Sequence, residues 1–287
     1  MQSTGIFTIH KFIIEHDKYD EPIYLFPFGD VHRSSSNCDV NRWLEFLEWA
    51  KKKKRSYFLG MGDYDDFSSG SERLILGNKN LHDSTLDTLD GLYETNTIRI
   101  YNEIKFMNGR LIGLIEGNHY GEFQSGITTT QYLAQKIKCK YLGVSSFIRL
   151  VFKCKNRTGV MSLDIWAHHG KGGARKVGGS LNRVEDMCFA ANADIYLMGH
   201  DHRKSCAYVS TMELSKGGTR VLHLHQKKKL LGRTGSFLKG YVPEKKSYVA
   251  DMALNPTDLG VLKIELTPKR NLREGKDETY MDIHTSI

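Results

Sequence analysis

Five short apolar runs in this chain each give way to Asp, Asn or His, four of them with a glycine directly before the polar residue. Ile23 to Phe28 leads through Gly29 to Asp30-Val31-His32, and Tyr57 to Met61 leads to Gly62-Asp63. Leu111 to Ile115 leads to Gly117-Asn118-His119, Met161 to Ala167 to His168-His169-Gly170, and Ala193 to Met198 to Gly199-His200-Asp201-His202. The runs read as buried strands, and the glycines let the backbone turn tightly at their ends. Two residues apart on a chain leaving a strand, Asp30 and His32 can aim an oxygen and a nitrogen at one point. Successive strands would then deliver such groups to one end of a sheet, the end at which open sheets bind ligands. Each piece has a plainer reading: Asp-x-His is a loop, Gly-Asn or Gly-Asp a turn, a lone His a solvated side chain. Turn chemistry alone does not choose His and Asp so consistently at successive strand ends.

Between these runs the chain supplies helices. Val40, Trp43, Leu44 and Leu47 make one apolar stripe behind Asp39, which predicts a capped helix over residues 40–50. A longer helical pattern covers 82–107, with Gly91 or Asn96 as a break point and Asn108-Gly109 as its end. Further helices are expected over 128–137 and 182–191. Residues 6–15 suit an edge strand or a short amphipathic start. Residues 141–151 and 160–167 read as strands joined by a turn around Asn156, so the sheets become partly antiparallel there. Later strands are expected over 207–214, 220–226, 248–254 and 261–266, with a peripheral charged tail from Lys269. The coarse picture is a layered α/β sandwich. At 287 residues the chain is near the upper size of one hydrophobic core, so 1–287 is read as a single domain whose strand-rich part, 203–268, completes the fold.

The series Asp30-x-His32, Gly62-Asp63-x-x-Asp66, Gly117-Asn118-His119, His168 and Gly199-His200-x-His202 resembles the signature blocks of the calcineurin-like metallophosphoesterases. The blocks occur in the family's order between residues 23 and 202. The resemblance implies an α/β/β/α sandwich of two mixed sheets flanked by helices. It also implies hydrolysis of a phosphate ester by a hydroxide that two metal ions activate. Asp30, His32 and His202 would hold one metal, Asp63 would bridge, and Asn118, His168 and His200 would complete the other. His119 would be no ligand; it would contact the phosphate or protonate the leaving oxygen. The neighbouring His169 is the alternative to His168, which is preferred because Gly170 then sits two residues on, as in the nuclease-like members. Tyr120 departs from the pattern, which commonly has an acidic residue there; Asp65, Asp66 or Glu116 could supply that acid. Asp66 itself is expected to accept hydrogen bonds from nearby loop backbone.

Carboxylate oxygen mixed with imidazole nitrogen suits manganese, iron or zinc, with manganese favoured, and pure oxygen ligation would suit magnesium better. Two such ions roughly 4 Å apart can clamp both sides of an in-line phosphoryl transfer. The five cysteines form no Cys-x-x-Cys pair, which argues against a thiolate zinc site and fits a reducing, cytoplasmic setting. No window approaches the roughly 20 apolar residues of a membrane span, and Met1 to His10 lacks the pattern of a signal peptide, so no membrane partner is expected.

Lys and Arg number 41 against 33 Asp and Glu, a net charge of +8. That balance fits either a solvated basic surface or attraction to a polyanion. Lys51 to Arg55 reads as a favourable helix C-terminus rather than a nucleic-acid patch. The Gly170–Gly179 stretch is no phosphate-binding P-loop, because Gly-Lys-Ser/Thr is absent. Its Lys171, Arg175 and Lys176 are nonetheless substrate-binding candidates beside a ligand. A second substrate-facing loop is expected over 233–241. Tyr64, Phe67 and Phe237 could stack on a base or be packed inside. A phosphodiester, in DNA or RNA, is the expected substrate; the resemblance extends to DNA-repair nucleases. A phosphomonoesterase acting on nucleotides or phosphoproteins is the alternative. A non-catalytic scaffold is disfavoured by the intact ligand series.

Overall fold

The computed structural model describes residues 8–77, 81–156, 159–174, 176–214, 224–245, 247–256, 258–273 and 276–287. Two sheets form. The first has the strand order β1 (Thr8–His16), β5 (Ser145–Cys154), β6 (Val160–His168), β7 (Ile195–Met198), β9 (Leu224–Thr234), β8 (Lys204–Leu214). The second runs β11 (Lys276–Ser286), β10 (Lys263–Arg273), β2 (Ile23–Phe28), β3 (Ser56–Gly60), β4 (Leu111–Leu114). Both are mixed: β2, β3 and β4 run parallel, as do β6, β7 and β9, whereas the β5–β6, β8–β9 and β10–β11 pairs are antiparallel.

The sheets pack face to face. Leu25, Leu59, Met61 and Ile112 of one meet Ile148, Leu150, Ile165 and Leu197 of the other in a buried cluster. Helices α1 (Val40–Lys52), α3 (Asp83–Ile104) and α4 (Thr129–Ile137) cover the other face of the five-stranded sheet, where Trp43, Leu47, Ile100, Ile104 and Leu133 pack with Phe26, Phe58 and Leu114. Helix α5 (Val177–Ala190) covers the six-stranded sheet through Val184 and Met187. The architecture is therefore the expected α/β/β/α sandwich. Among the described residues no helix is long and apolar enough to cross a membrane.

Local chemistry explains the element ends. The Asp39 side chain accepts from the Arg42 N–H at 3.1 Å and caps α1, whose last turn carries Lys51 and Lys52 against the dipole. Thr128 and Gln131 form a reciprocal capping box at α4. Pro27 sits inside β2, beyond the stretch that β10 pairs, so its missing N–H breaks no bond to that neighbour.

Several expectations change. Neither Gly91 nor Asn96 breaks α3, and an additional helix, α2 (Gly70–Gly77), precedes it. Helix α5 starts at Val177, inside the glycine-rich stretch expected to be a loop. The 248–254 segment contains a short helix, α6 (Tyr248–Asp251), in place of a strand. Of the strand expected over 220–226, residues 220–223 lie outside the described residues, and β9 begins at Leu224. The charged tail is no loose periphery: β10 and β11 pair as an edge hairpin. The 233–241 segment begins in the core, with Arg233, Thr234, Ser236 and Phe237 buried. Phe237 packs 5.0 Å from Trp43, and the Ser236 hydroxyl and Phe237 N–H both donate to the Asp30 carbonyl, so residues 233–237 are core rather than an open loop.

Candidate metal centre

The chain leaves the C-terminal ends of β2, β3, β4, β6 and β7 at one end of the sandwich, and each exit carries candidate ligands. Asp30, His32, Asp63, His200 and His202 all sit in the left-handed backbone region, with φ of 47°, 46°, 48°, 74° and 58°. Asp and His tolerate that region better than bulky residues, yet each instance costs on the order of 1 kcal/mol. Backbone bonds hold the first turns in place: Asp30 N–H donates to Gly62 O at 2.9 Å, and Val31 and His32 N–H to Asp63 O at 2.8 and 3.1 Å. Glycine is required where a side chain would fill the site. A β-carbon on Gly117 would overlap the Asp63 carboxylate, and one on Gly62, at φ 99°, would meet His169 Nδ1.

Three groups converge among the described residues: Asp30, His32 and His202 as the first, Asp63, His169 and His200 as the second, and His32, Asp66 and His119 as a third that shares His32 with the first. In the first group His202 Nε2 lies 3.9 Å from Asp30 Oδ1. Asp30 Oδ1 and His32 Nε2 are buried without a hydrogen-bond partner among the described residues. The other oxygen of Asp30 accepts from His200 N–H at 2.9 Å. In the second group Asn118 Oδ1 is 2.9 Å from His169 Nε2 and 2.6 Å from His200 Nδ1, and Asp63 Oδ2 is 3.3 Å from His169 Nε2. Asp63 Oδ2 is also 3.7 Å from His32 Nε2, so this carboxylate stands between the two groups. His169 Nδ1 is bonded to Met61 O at 2.8 Å, which fixes the ring and turns Nε2 inward.

Of the two adjacent histidines, His169 and not the expected His168 stands in the second group. His168 Nδ1 accepts from Gly170 N–H at 2.7 Å, folding back on its own turn. Strand alternation is the physical reason: Leu163, Ile165 and Ala167 point between the sheets, whereas Trp166 points toward α5. His168 shares the face of Trp166, and His169 continues the inner face. That alternation was present in the sequence.

His119 stands beside the ligand groups, with Nδ1 2.8 Å from Asp66 Oδ1 and its N–H donating to Asp63 Oδ1 at 2.8 Å. Asp66 also lies 3.2 Å from His32 Nδ1. Asp66 is therefore the acidic partner of His119, a place Tyr120 does not fill. The backbone-accepting role expected of Asp66 falls to Asp65, which accepts from the Ser34 and Asp66 N–H groups and pairs with Arg99 at 3.2 Å. Tyr64 is buried with its hydroxyl on Ile115 O, and Phe67 packs edge-on against Tyr93. Lys171 and Lys176 are exposed; Arg175 lies outside the described residues.

The electrostatics suit cations. Burial pushes the Asp30 carboxyl well above its ordinary range, and the Asp63 charge adds to this. Burial also opposes ionisation of Asp63, but the imidazoles of His169, His32 and His119 outweigh it and hold Asp63 ionised. Burial disfavours the His169 cation too, yet the Asp63 charge and hydrogen bond carry it up to about 9. Burial, with neighbouring His169 or His32, pushes His200 and His202 down. The neutral imidazoles of His200 and His202, the ionised Asp63 carboxylate and the unpartnered atoms of Asp30 and His32 form a mixed oxygen and nitrogen donor set, which fits divalent transition-metal ions, His169 giving up its proton on binding.

Two structural residues escaped the sequence reading. Arg233 is fully buried beneath the His200 turn, donating to Ser180 O at 3.0 Å and Gly199 O at 2.8 Å and pairing with Asp201 at 3.3 Å. Arg73, on α2, donates to the carbonyls of Ser68, Asn118 and Tyr120. Neither lies in a recognisable motif; only an arginine inside an apolar run, Leu230-Leu231-Gly232-Arg233, signals the first.

No protein-family model matches this chain, and no curated protein matches it. Among solved structures it is similar to one titled vacuolar protein sorting 29, from Cryptosporidium parvum. The two are 12% identical, with 94% of this chain and 100% of that chain covered and a TM-score of 0.36. A likeness of that size bears on neither the ligands nor the chemistry.

Proposed function

We propose that this chain is a phosphoesterase that works with two divalent transition-metal ions, manganese favoured, with iron or zinc as alternatives. The observation that carries this reading is the convergence of two His/Asp groups on one end of the sandwich, with buried, unpartnered ligand atoms at Asp30 and His32. Asp30, His32 and His202 would hold one ion and Asn118, His169 and His200 the other, with Asp63 shared. When bound, the ions would supply water activation and neutralisation of phosphoryl charge. The chain's own groups do the rest. The Met61 carbonyl holds the His169 tautomer. Asp66 binds His119 Nδ1 and leaves Nε2 to donate to a phosphoryl or leaving oxygen.

The finer reading is a phosphodiester substrate, in DNA or RNA. Its support is the net charge of +8 and the exposed Lys171 and Lys176, two and seven residues beyond His169. Nucleotide or phosphoprotein monoesters are the competing class, since the same cations would grip them. The test offers manganese-loaded protein single- and double-stranded DNA, RNA, cyclic dinucleotides, nucleoside monophosphates and a phosphopeptide under identical conditions. Chelation should abolish turnover and manganese restore it. Polymer cutting should weaken when Lys171 and Lys176 become alanine, with the salt slope falling by about one unit per lost contact. Monoester release with polymers untouched at low salt would end the nucleic-acid reading. Protein that carries no transition metal and takes none up would end the metal reading.

A further inference from the structure

The turn from Asn118 to Tyr120 presents two of the candidate working side chains, and its outward carbonyls need donors. The Phe67 N–H meets His119 O at 3.4 Å, and the Ser68 hydroxyl meets Tyr120 O at 3.1 Å. The remaining demand falls on one nitrogen of Arg73. Its Nη1 donates to Asn118 O and Tyr120 O, each at 3.0 Å, and to Ser68 O. The same guanidinium lies 3.7 Å above the Tyr120 ring, a close cation–π contact. Tyr120, where the resembled family commonly has an acid, is thus the seat for a cation. Core packing does not explain this placement. Helix α2 adds no residue to the three buried clusters, and its Leu74 and Ile75 are 66% and 55% exposed.

We propose that Arg73 is a positioning residue of the metal centre, which fixes the Asn118–His119–Tyr120 turn and through it the aim of Asn118 Oδ1 and His119. The proposal rests on the reading that these two side chains serve the metals and the phosphate. A lysine at this position keeps one nitrogen able to donate to the same carbonyls, whereas glutamine keeps neither charge nor reach.

The test titrates manganese into metal-free R73Q, R73K and parent protein by calorimetry, and separately measures kcat and KM on an aryl phosphodiester. R73Q should lose about tenfold or more in metal affinity and in kcat, the size expected for groups that orient ligands, with KM little changed. R73K should recover most of both. Tyr120→Leu should give the same changes at smaller size. Parental metal affinity and kcat in R73Q would overturn the proposal. So would an equal fall in melting temperature in R73Q and R73K without recovery of metal affinity by the latter, which marks a purely structural arginine. If the parent hydrolyses no phosphate ester, the proposed function fails while the titrations still judge Arg73.

Discussion

The two ligand groups are built differently. Asp30, His32 and His202 all lie on left-handed backbone, and their facing atoms stay apart, with 3.9 Å between Asp30 and His202. In the other group Asn118, His169 and His200 touch side chain to side chain, at 2.6–3.3 Å. Strained turns aim the first group; the second adds mutual hydrogen bonds and the Met61 carbonyl to the left-handed turns of Asp63 and His200. Strain held by backbone bonds keeps donor atoms open and unpaired at the price of conformational energy. Side-chain contact instead satisfies the donors, and a bound cation would have to replace those contacts. The first group should therefore keep its geometry when a neighbour is removed, and the second should rearrange.

Asp63 stands between them, so its loss should have the largest effect. Asp63→Ala should remove high-affinity metal binding at both groups and lower turnover on the order of a thousandfold, several kcal/mol of lost charge stabilisation. Elemental analysis with kinetics checks this. A variant that keeps two ions per chain would show that the carboxylate is not shared.

The next comparison separates adjacent histidines. His169→Ala should weaken one metal by more than about a hundredfold and leave the other near parental affinity, whereas His168→Ala should leave both almost unchanged. Calorimetric titration reads the difference. The reverse pattern would return the ligand to His168 and contradict the strand alternation of β6.

A smaller effect is expected at His119, which belongs to neither group. His119→Ala should bind both metals normally and lose about a hundredfold in turnover, the usual contribution of a positioned acid. Parental turnover in this variant would remove His119 from the reaction, and lost metal would place it among the ligands.

Legibility follows the same division. Asp-x-His and His-x-His carry both ends of the first group within three residues, because a tight turn after a strand is local chemistry. Asp39 as a cap is local in the same way. The second group joins β3, β4, β6 and β7, and no local rule states which of two adjacent histidines faces inward. Only counting alternation back through Ala167 and Ile165 does so. The 248–254 segment misled for a related reason: a short apolar run has no period long enough to separate strand from helix.

By itself, the sequence determined the layered α/β class, the end of the sheets at which the polar residues gather, and the chemical type of the donor set. Apolar runs must be buried and their polar ends must emerge where the strands stop, and both follow from hydrophobicity and turn stereochemistry alone. Tertiary structure decided that Asp66 rather than Asp65 or Glu116 lies against His119, and that Phe237 belongs to the core. It also decided that Arg73 and Arg233 brace the site loops. The pairings of Asp66 with His32 and His119, of Arg73 with Asn118 and of Arg233 with Ser180 join residues 34 to 53 positions apart, set by how the strands and helices pack.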